Sequence, residues 1–378
     1  MEEGRMKRKR TLTAFSGLLC SLFFTSVHAE VRYELIDLGT LPDGMTSCAF
    51  SINNSNQIVG ATDLWTGINR PTWFDSSGEG QNIHLGTLDK IWGCAMSINN
   101  NGLIVGTSNG VSSYARATLF ASLEGKDNID LGTLGGNRSI AYGINNQGLI
   151  VGYAETNPWS TRATLFDSTG SGNNKDLGTL GGSSSMAYSI NNQGQIVGYA
   201  FTPFVYKATL FDATGNKNNI DLGTLGGRYS QALSINNQGQ IVGWAHTNGG
   251  YQKAALFDPS GNGNNINLGT FGGNESEALG INNLGQIVGW AKTPGGGIRA
   301  ALFDPTGNQH NLDLNTLIDP SSGWNLETAR SINDSGWIVG DGYLSEEHRA
   351  FLLIPVPEPG TLCFLILGGL ALLGQQKT

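Results

Sequence analysis

A seven-bladed β-propeller of four-stranded antiparallel blades is the fold this sequence predicts, on three observations. A Leu-Gly-Thr triplet ends at Thr40, Thr87, Thr133, Thr179, Thr224 and Thr270, with a degenerate Leu-Asn-Thr ending at Thr316, in steps of 45 to 47 residues. A second motif, Ile-Asn-(Asn/Asp)-x-Gly-x-Ile-Val-Gly or its variant INNSNQIVG, ends at Gly60, Gly106, Gly152, Gly198, Gly243, Gly289 and Gly340. The chain also opens on a lone strand, Tyr33 to Leu41, and its repeats close on three strands ending at Leu353, so the two fragments complete one blade. Self-similarity at such a period marks a repeat architecture, and radial stacking of four-stranded units closes into a ring. An open solenoid gains nothing from that split and needs polar caps.

Within one unit, the first strand runs through Ala141 to Ile144. The turn Asn145-Asn146-Gln147-Gly148 reverses it, because Asn and Gly tolerate positive φ. Ile150-Val151-Gly152 forms the second strand and sends one branched side chain to each sheet face, so both faces are expected to be covered. Ala163 to Phe166 is the third, and a polar loop leads to the fourth, Asp176 to Leu180. The column Ala49, Ala95, Ala141, Ala187, Ala232, Ala278, Ala329 fits a tapering centre that admits only small residues.

Composition agrees with a turn-rich, core-forming chain. Of 378 residues, 55 are Gly and 36 Asn, while 39% are hydrophobic. Charged residues are 14%, with 22 Lys plus Arg against 30 Asp plus Glu, which disfavours a nucleic-acid binder that relies on a basic surface.

The ends read as targeting segments. Residues 1–29 carry Arg5, Lys7, Arg8, Lys9 and Arg10, then an apolar run and a small-residue cleavage pattern at Ala29 before Glu30. Cleavage there leaves 17 bases against 28 acids, a net charge of −11. At the other end, residues 356–378 contain Pro357, Glu358 and Pro359 followed by the apolar run Leu362 to Leu373. As a helix, the residues after Pro359 reach roughly 28 Å, a marginal span for the hydrocarbon core.

That tail resembles the PEP-CTERM sorting signal, through Pro357, Glu358, Pro359 and the short hydrophobic stretch; where that family ends in an Arg-rich cluster, this chain has Lys377. The resemblance implies exosortase-type sorting machinery as a partner and a product of a Gram-negative bacterium that is exported, transiently anchored in the inner membrane through its tail, then placed at the cell surface or in the extracellular matrix. The repeats of residues 33 to 353 resemble the HAF family of extracellular repeats, with Arg or Lys where that family has His and Phe166 or its equivalents where it has Trp. Residues 30–355 are thus expected to be the propeller.

The functional candidates follow from the scaffold. A basic residue opens the third strand of every unit: Arg70, Arg116, Arg162, Lys207, Lys253, Arg299 and Arg349. Seven cations around one face suit acidic polysaccharide or another polyanion, and an alternative is that each base pairs with a nearby Asp such as Asp37, Asp130, Asp176, Asp221 or Asp313. The loops before those bases differ between units and hold Trp65, Trp159, Tyr206 and Tyr251, aromatic faces suited to sugar rings. His84, His246, His310 and His348 occupy different repeat offsets, and no metal or nucleophile motif appears. Glu275, Glu277, Glu346 and Glu347 break the repeat but are read as solvated loop acids. Asp258 and Asp304 are read as turn initiators, with no bound metal or cofactor expected. Cys48 and Cys94 share one column in adjacent units and are read as small apolar residues. The expectation is an exported, non-enzymatic binding or structural module of the envelope or exopolysaccharide matrix, with acidic polysaccharide or an envelope protein as partner. A polysaccharide-active lyase or hydrolase on the same scaffold, and a protein-interaction platform, are the alternatives.

Overall fold

The structure is a computed structural model and describes residues 32–64, 68–89, 91–110, 114–121, 127–157 and 160–356. Ala29, Glu30, Pro357, Glu358 and Pro359 lie outside the described residues, as do Trp65 and Trp159. The expectation of a membrane-crossing segment is corrected to this extent: among the described residues no helix is long and apolar enough to cross a membrane.

Seven four-stranded antiparallel sheets form the propeller. Six blades are built from consecutive strands. The closing blade takes Trp324–Ile332, Ile338–Leu344 and Glu347–Val356 from the end of the chain and Arg32–Asp37 from its start, paired from Arg32↔Val356 to Asp37↔Phe351. Each blade runs from an inner strand at the channel to an outer strand, which is two to four residues long in six blades and six residues long in the closing one.

Ile and Val of the second strand divide between the two faces as their adjacency requires. Val105 packs with Ile150 of the next blade, Val151 with Ile196, Val197 with Ile241, Val242 with Ile287 and Val288 with Ile338. Val339 then packs with Ile58, and Val59 with Ile104, which carries the sequence of seven inter-blade cores around the ring. Burying side chains of this kind stabilises by about 1.5–3 kcal/mol each, so the blades are held mainly by their mutual faces.

Every inner strand carries a β-bulge one residue after its alanine, between Ala49 and Ser51, Ala95 and Ser97, Ala141 and Gly143, and likewise around the ring. An extra residue at a bulge is re-aimed. Here the bulged residues Phe50, Met96, Tyr142, Tyr188, Leu233, Leu279 and Arg330 line the channel. The alanine column is fully buried in the inter-blade cores, so its small size serves sheet packing, while large side chains fill the centre.

Opposite each alanine stands the last Gly of the second motif, as in Ala141↔Gly152. A Cβ on Gly152 would lie 1.9 Å from the Ile140 carbonyl oxygen, and the equivalent glycines are as tightly placed. This glycine is demanded by close approach of two strands beside the bulge.

The Asn-Asn turn does more than reverse the chain. Asn191 Oδ1 accepts from the N–H groups of Gln193 (3.1 Å) and Gln195 (2.9 Å), capping its own turn, while its Nδ2 donates to the carbonyl of Asn236 in the next blade at 3.0 Å. The same inter-blade bond runs from Asn53 to Asn99, Asn99 to Asn145, Asn145 to Asn191, Asn236 to Asn282, Asn282 to Asn333, and finally Asn333 to Asn53. A second circle uses the backbone N–H of the following residue and the side-chain oxygen of its neighbour, from Asn54 through to Asp334 and back. In the first blade Asn56 stands where the other turns have Gly, and it takes the same left-handed conformation, φ 61°.

Candidate functional site

The inner strand descends from the Leu-Gly-Thr linker to the Asn-Asn turn, and the second strand climbs back. The linkers, the second-to-third connections and the start of every third strand therefore share one face, here the linker face. The basic column stands there. Arg116 pairs with Asp130 at 3.1 Å, Arg162 with Asp176 at 3.8 Å and Arg299 with Asp313 at 3.9 Å. Arg70 donates to the Pro42 carbonyl, Lys253 to that of Gly273, and Arg349 pairs with Glu347. Lys207 is half-buried at the equivalent place. Tyr206 packs against Tyr199, Phe201, Tyr229 and Trp244, whereas Tyr251 stands exposed on its turn.

A convergent cluster appears elsewhere, between the closing blade and the first. Cys48 Sγ, on the inner strand Gly44–Ile52, lies 3.8 Å from His348 Nδ1, on the strand Glu347–Val356. The opposite ring nitrogen, Nε2, lies 3.1 Å from Asp341 Oδ2, on Ile338–Leu344. Asp341 is buried, and its other oxygen accepts from Arg330 Nε. Arg330 is the bulged residue of the closing blade, so its guanidinium joins the cluster to the channel, where it also lies over the Phe50 ring at 5.2 Å. His348 and Cys48 are only half-buried.

Electrostatics make this cluster a charged relay. The hydrogen bond to Asp341, then the contact with Cys48, push the His348 pKa up to about 10. Burial opposes ionisation of Asp341, but the bonds from His348 and Arg330 outweigh it and hold its carboxyl below the ordinary range. Thus the imidazolium is the resting form near neutrality, and it faces the sulfur. Arg330 stands on the channel side of the same cluster, bonded to Asp341. Burial pushes the Cys94 thiol up to about 12, the behaviour of an inert core thiol.

Glu277 is a residue that sequence reading misplaced. It lies within the strand Ser276–Ile281, not on a loop tip, and its carboxylate accepts from Trp290 Nε1 at 3.1 Å and Gln252 Nε2 at 3.3 Å. Burial raises its pKa despite those bonds.

Aligned repeats contain the signal that could have found the cluster. Asp341 follows the Gly of the second motif, where the other units have Ala61, Thr107, Tyr153, Tyr199, Trp244 and Trp290. Arg330 stands in a column that is otherwise Phe, Met, Tyr, Tyr, Leu and Leu, and His348 directly precedes the basic column. Three exceptions fall in one unit, and the ring brings that unit against Cys48, 300 residues away.

The expectation of a non-enzymatic binding or structural module is overturned by this arrangement. A thiol, an imidazole and a carboxylate in register, half-open to solvent beside a cation, are the elements of nucleophilic catalysis.

Comparison with known proteins adds little chemistry. Residues 90–216 match a family described as a protein of unknown function (DUF3466). No curated protein matches the chain. Among solved structures, a gluconolactonase from Xanthomonas campestris, described as important in glucose secondary metabolic pathways, is similar at 10% identity and a TM-score of 0.42, over 87% of this chain and 95% of that one. A likeness at that level carries no argument about this chain's activity.

Proposed function

We propose that the protein is a hydrolase that cleaves an acyl ester by covalent thiol catalysis at Cys48. The observation that carries this reading is the order Cys48, His348, Asp341, with sulfur and carboxylate on opposite nitrogens of one imidazole. Cys48 Sγ, one His348 nitrogen and an Asp341 oxygen also lie within 4.8 Å of one another, a spacing a metal ion could share, but Arg330 on the other oxygen of Asp341 already sets a cation beside that point. The same atoms suit a nucleophile, a proton carrier and an orienting acid.

In this mechanism the Cys48 thiolate attacks the acyl carbon beside the His348 imidazolium. The carbon–oxygen bond of the ester breaks as the new carbon–sulfur bond forms, and the leaving alkoxide takes the proton from Nδ1. Water then adds to the thioester, giving its proton to Nδ1 and its hydroxyl to the acyl group. The acid departs, and thiolate and imidazolium are restored. Asp341 holds the ring orientation throughout and balances its charge, while Arg330 supports the developing negative charge from the channel side.

Pre-steady-state hydrolysis of p-nitrophenyl acetate tests this. A burst of nitrophenol, an acetyl adduct on Cys48 by peptide mass, and a loss of about 100-fold or more in kcat/KM for Cys48→Ala are expected. Full activity in Cys48→Ala, or activity that follows a stoichiometric metal removed by chelator, would overturn the assignment.

A further inference from the structure

An arc of aromatic rings crosses the linker face. Tyr153 and Tyr142 are 6.1 Å apart between centroids, Tyr142 and Tyr188 5.1 Å, Tyr188 and Tyr199 5.8 Å, Tyr199 and Tyr206 5.4 Å, Tyr206 and Tyr229 4.7 Å, and Tyr229 and His246 5.4 Å. These rings come from three successive blades, and each is half-buried. Two of them, Tyr142 and Tyr188, line the same channel mouth as Arg330. The inner end of the arc and the Arg330 that bonds Asp341 thus belong to one ring of channel-lining residues, contributed by different blades.

An arginine stands toward each end of the arc, with the acids Glu155 and Glu275 nearby, on a chain whose overall charge is −8. Exposed Arg138 lies over Tyr114 at 5.6 Å, and exposed Arg228 over Tyr229 at 5.9 Å. At the Arg138 end the rings open into a cavity of about 490 Å³, lined by Trp92, Asn109, Tyr114, Ala115, Arg138 and Tyr153. That volume accepts a sugar unit, with aromatic walls for its carbon face and one fixed cation for an acid group. Burial holds the hydroxyls of Tyr142, Tyr188, Tyr199 and Tyr206 in their neutral form, so they serve as hydrogen-bond donors along the way.

Resting on the ester-hydrolase reading, we propose that this arc is the binding track for an acidic glycan, a chain bearing uronic-acid carboxylates, which it leads to the channel mouth so that an acyl ester on the glycan meets Cys48. Aromatic rings at roughly one-sugar intervals supply stacking that tolerates sequence, and the terminal arginines supply the preference for carboxylates over neutral sugars. A protein or nucleic-acid chain uses neither regular pyranose spacing nor uronate charge.

The test separates the track from the chemistry. Binding is measured on full-length Cys48→Ala by affinity electrophoresis in gels containing polygalacturonate or, as the neutral control, dextran. Retardation by polygalacturonate alone is expected, weakened at least tenfold by Arg138→Gln and by Tyr206→Ala. The unchanged melting temperature of Arg138→Gln, a surface substitution, separates lost binding from lost folding. Equal retardation by dextran, or no retardation, or indifference to both substitutions, would overturn the track. Separately, the unsubstituted protein is given acetylated polygalacturonate and acetate release is followed. Retained binding without acetate release or a p-nitrophenyl acetate burst would sink the hydrolase while leaving the track standing.

Discussion

His348 carries the clearest consequence at the scale of a single residue. Its pKa is raised to about 10 in the folded protein, so the stability it contributes is fully present below the unfolded value of about 6.5 and is lost as pH rises through 10. Asp341 is shifted downward, so its contribution is present above the ordinary carboxyl range and is lost as pH falls through it. The melting-temperature advantage of the native protein over His348→Gln should therefore be largest near pH 5 to 6, shrink toward pH 10, and shrink again below pH 4. A difference independent of pH would show that the imidazolium–carboxylate pair does not exist. Gly152 gives a second residue-scale expectation. Gly152→Ala drives a methyl into the Ile140 carbonyl and should cost about 3 kcal/mol or more, read as a drop in the denaturant midpoint.

At the scale of the element, the turn between inner and second strand has two duties where its sequence shows one. Asn and Gly in that position were legible as turn formers, because turn chemistry is local. The Nδ2 bond to the neighbouring blade was not, since it depends on a carbonyl some 45 residues away and on the ring being closed. The bulge was hidden for the same reason: Tyr142 and Arg330 look like ordinary strand residues until the pairing across the bulge is seen. Asn191→Ala should leave the N–H groups of its own turn without partners and take the inter-blade donor from the Asn236 carbonyl, which keeps only the Gly239 N–H, at about 3 kcal/mol, whereas Asn192→Ala, on the more exposed circle, should cost markedly less. Chemical denaturation of the two variants side by side checks this ranking.

At the scale of the whole molecule, fold and site differ sharply in how far sequence could reach. Seven recurrences of two motifs and a divided blade were enough for the architecture, because repetition multiplies a weak local signal. The site is made of departures from that repetition. Cys48 belongs to the first blade and Arg330, Asp341 and His348 to the last, so it exists only where the ring meets itself. Repeat averaging suppresses such residues, and Cys48, sharing its column with Cys94, reads as core. Opening the closing blade should accordingly abolish esterase activity before it melts the other blades. Substituting Tyr33, whose ring is buried in the core of that blade, with Asp should eliminate activity at a temperature where circular dichroism still reports most of the sheet.

The circle of asparagine bonds gives the molecule a direction without giving it a beginning. Every amide points onward to the next unit in chain order, and the last points to the first by the same rule, so no unit is privileged as the start. Where the polypeptide is cut is then a matter of convenience to the ring. A permuted chain, joined by a short linker from Val356 to Arg32 and reopened between Gly249 and Gly250, retains every member of the circle and should melt within a few degrees of the original. Such a ring can be entered anywhere and read in only one sense, like a clock face without a twelve.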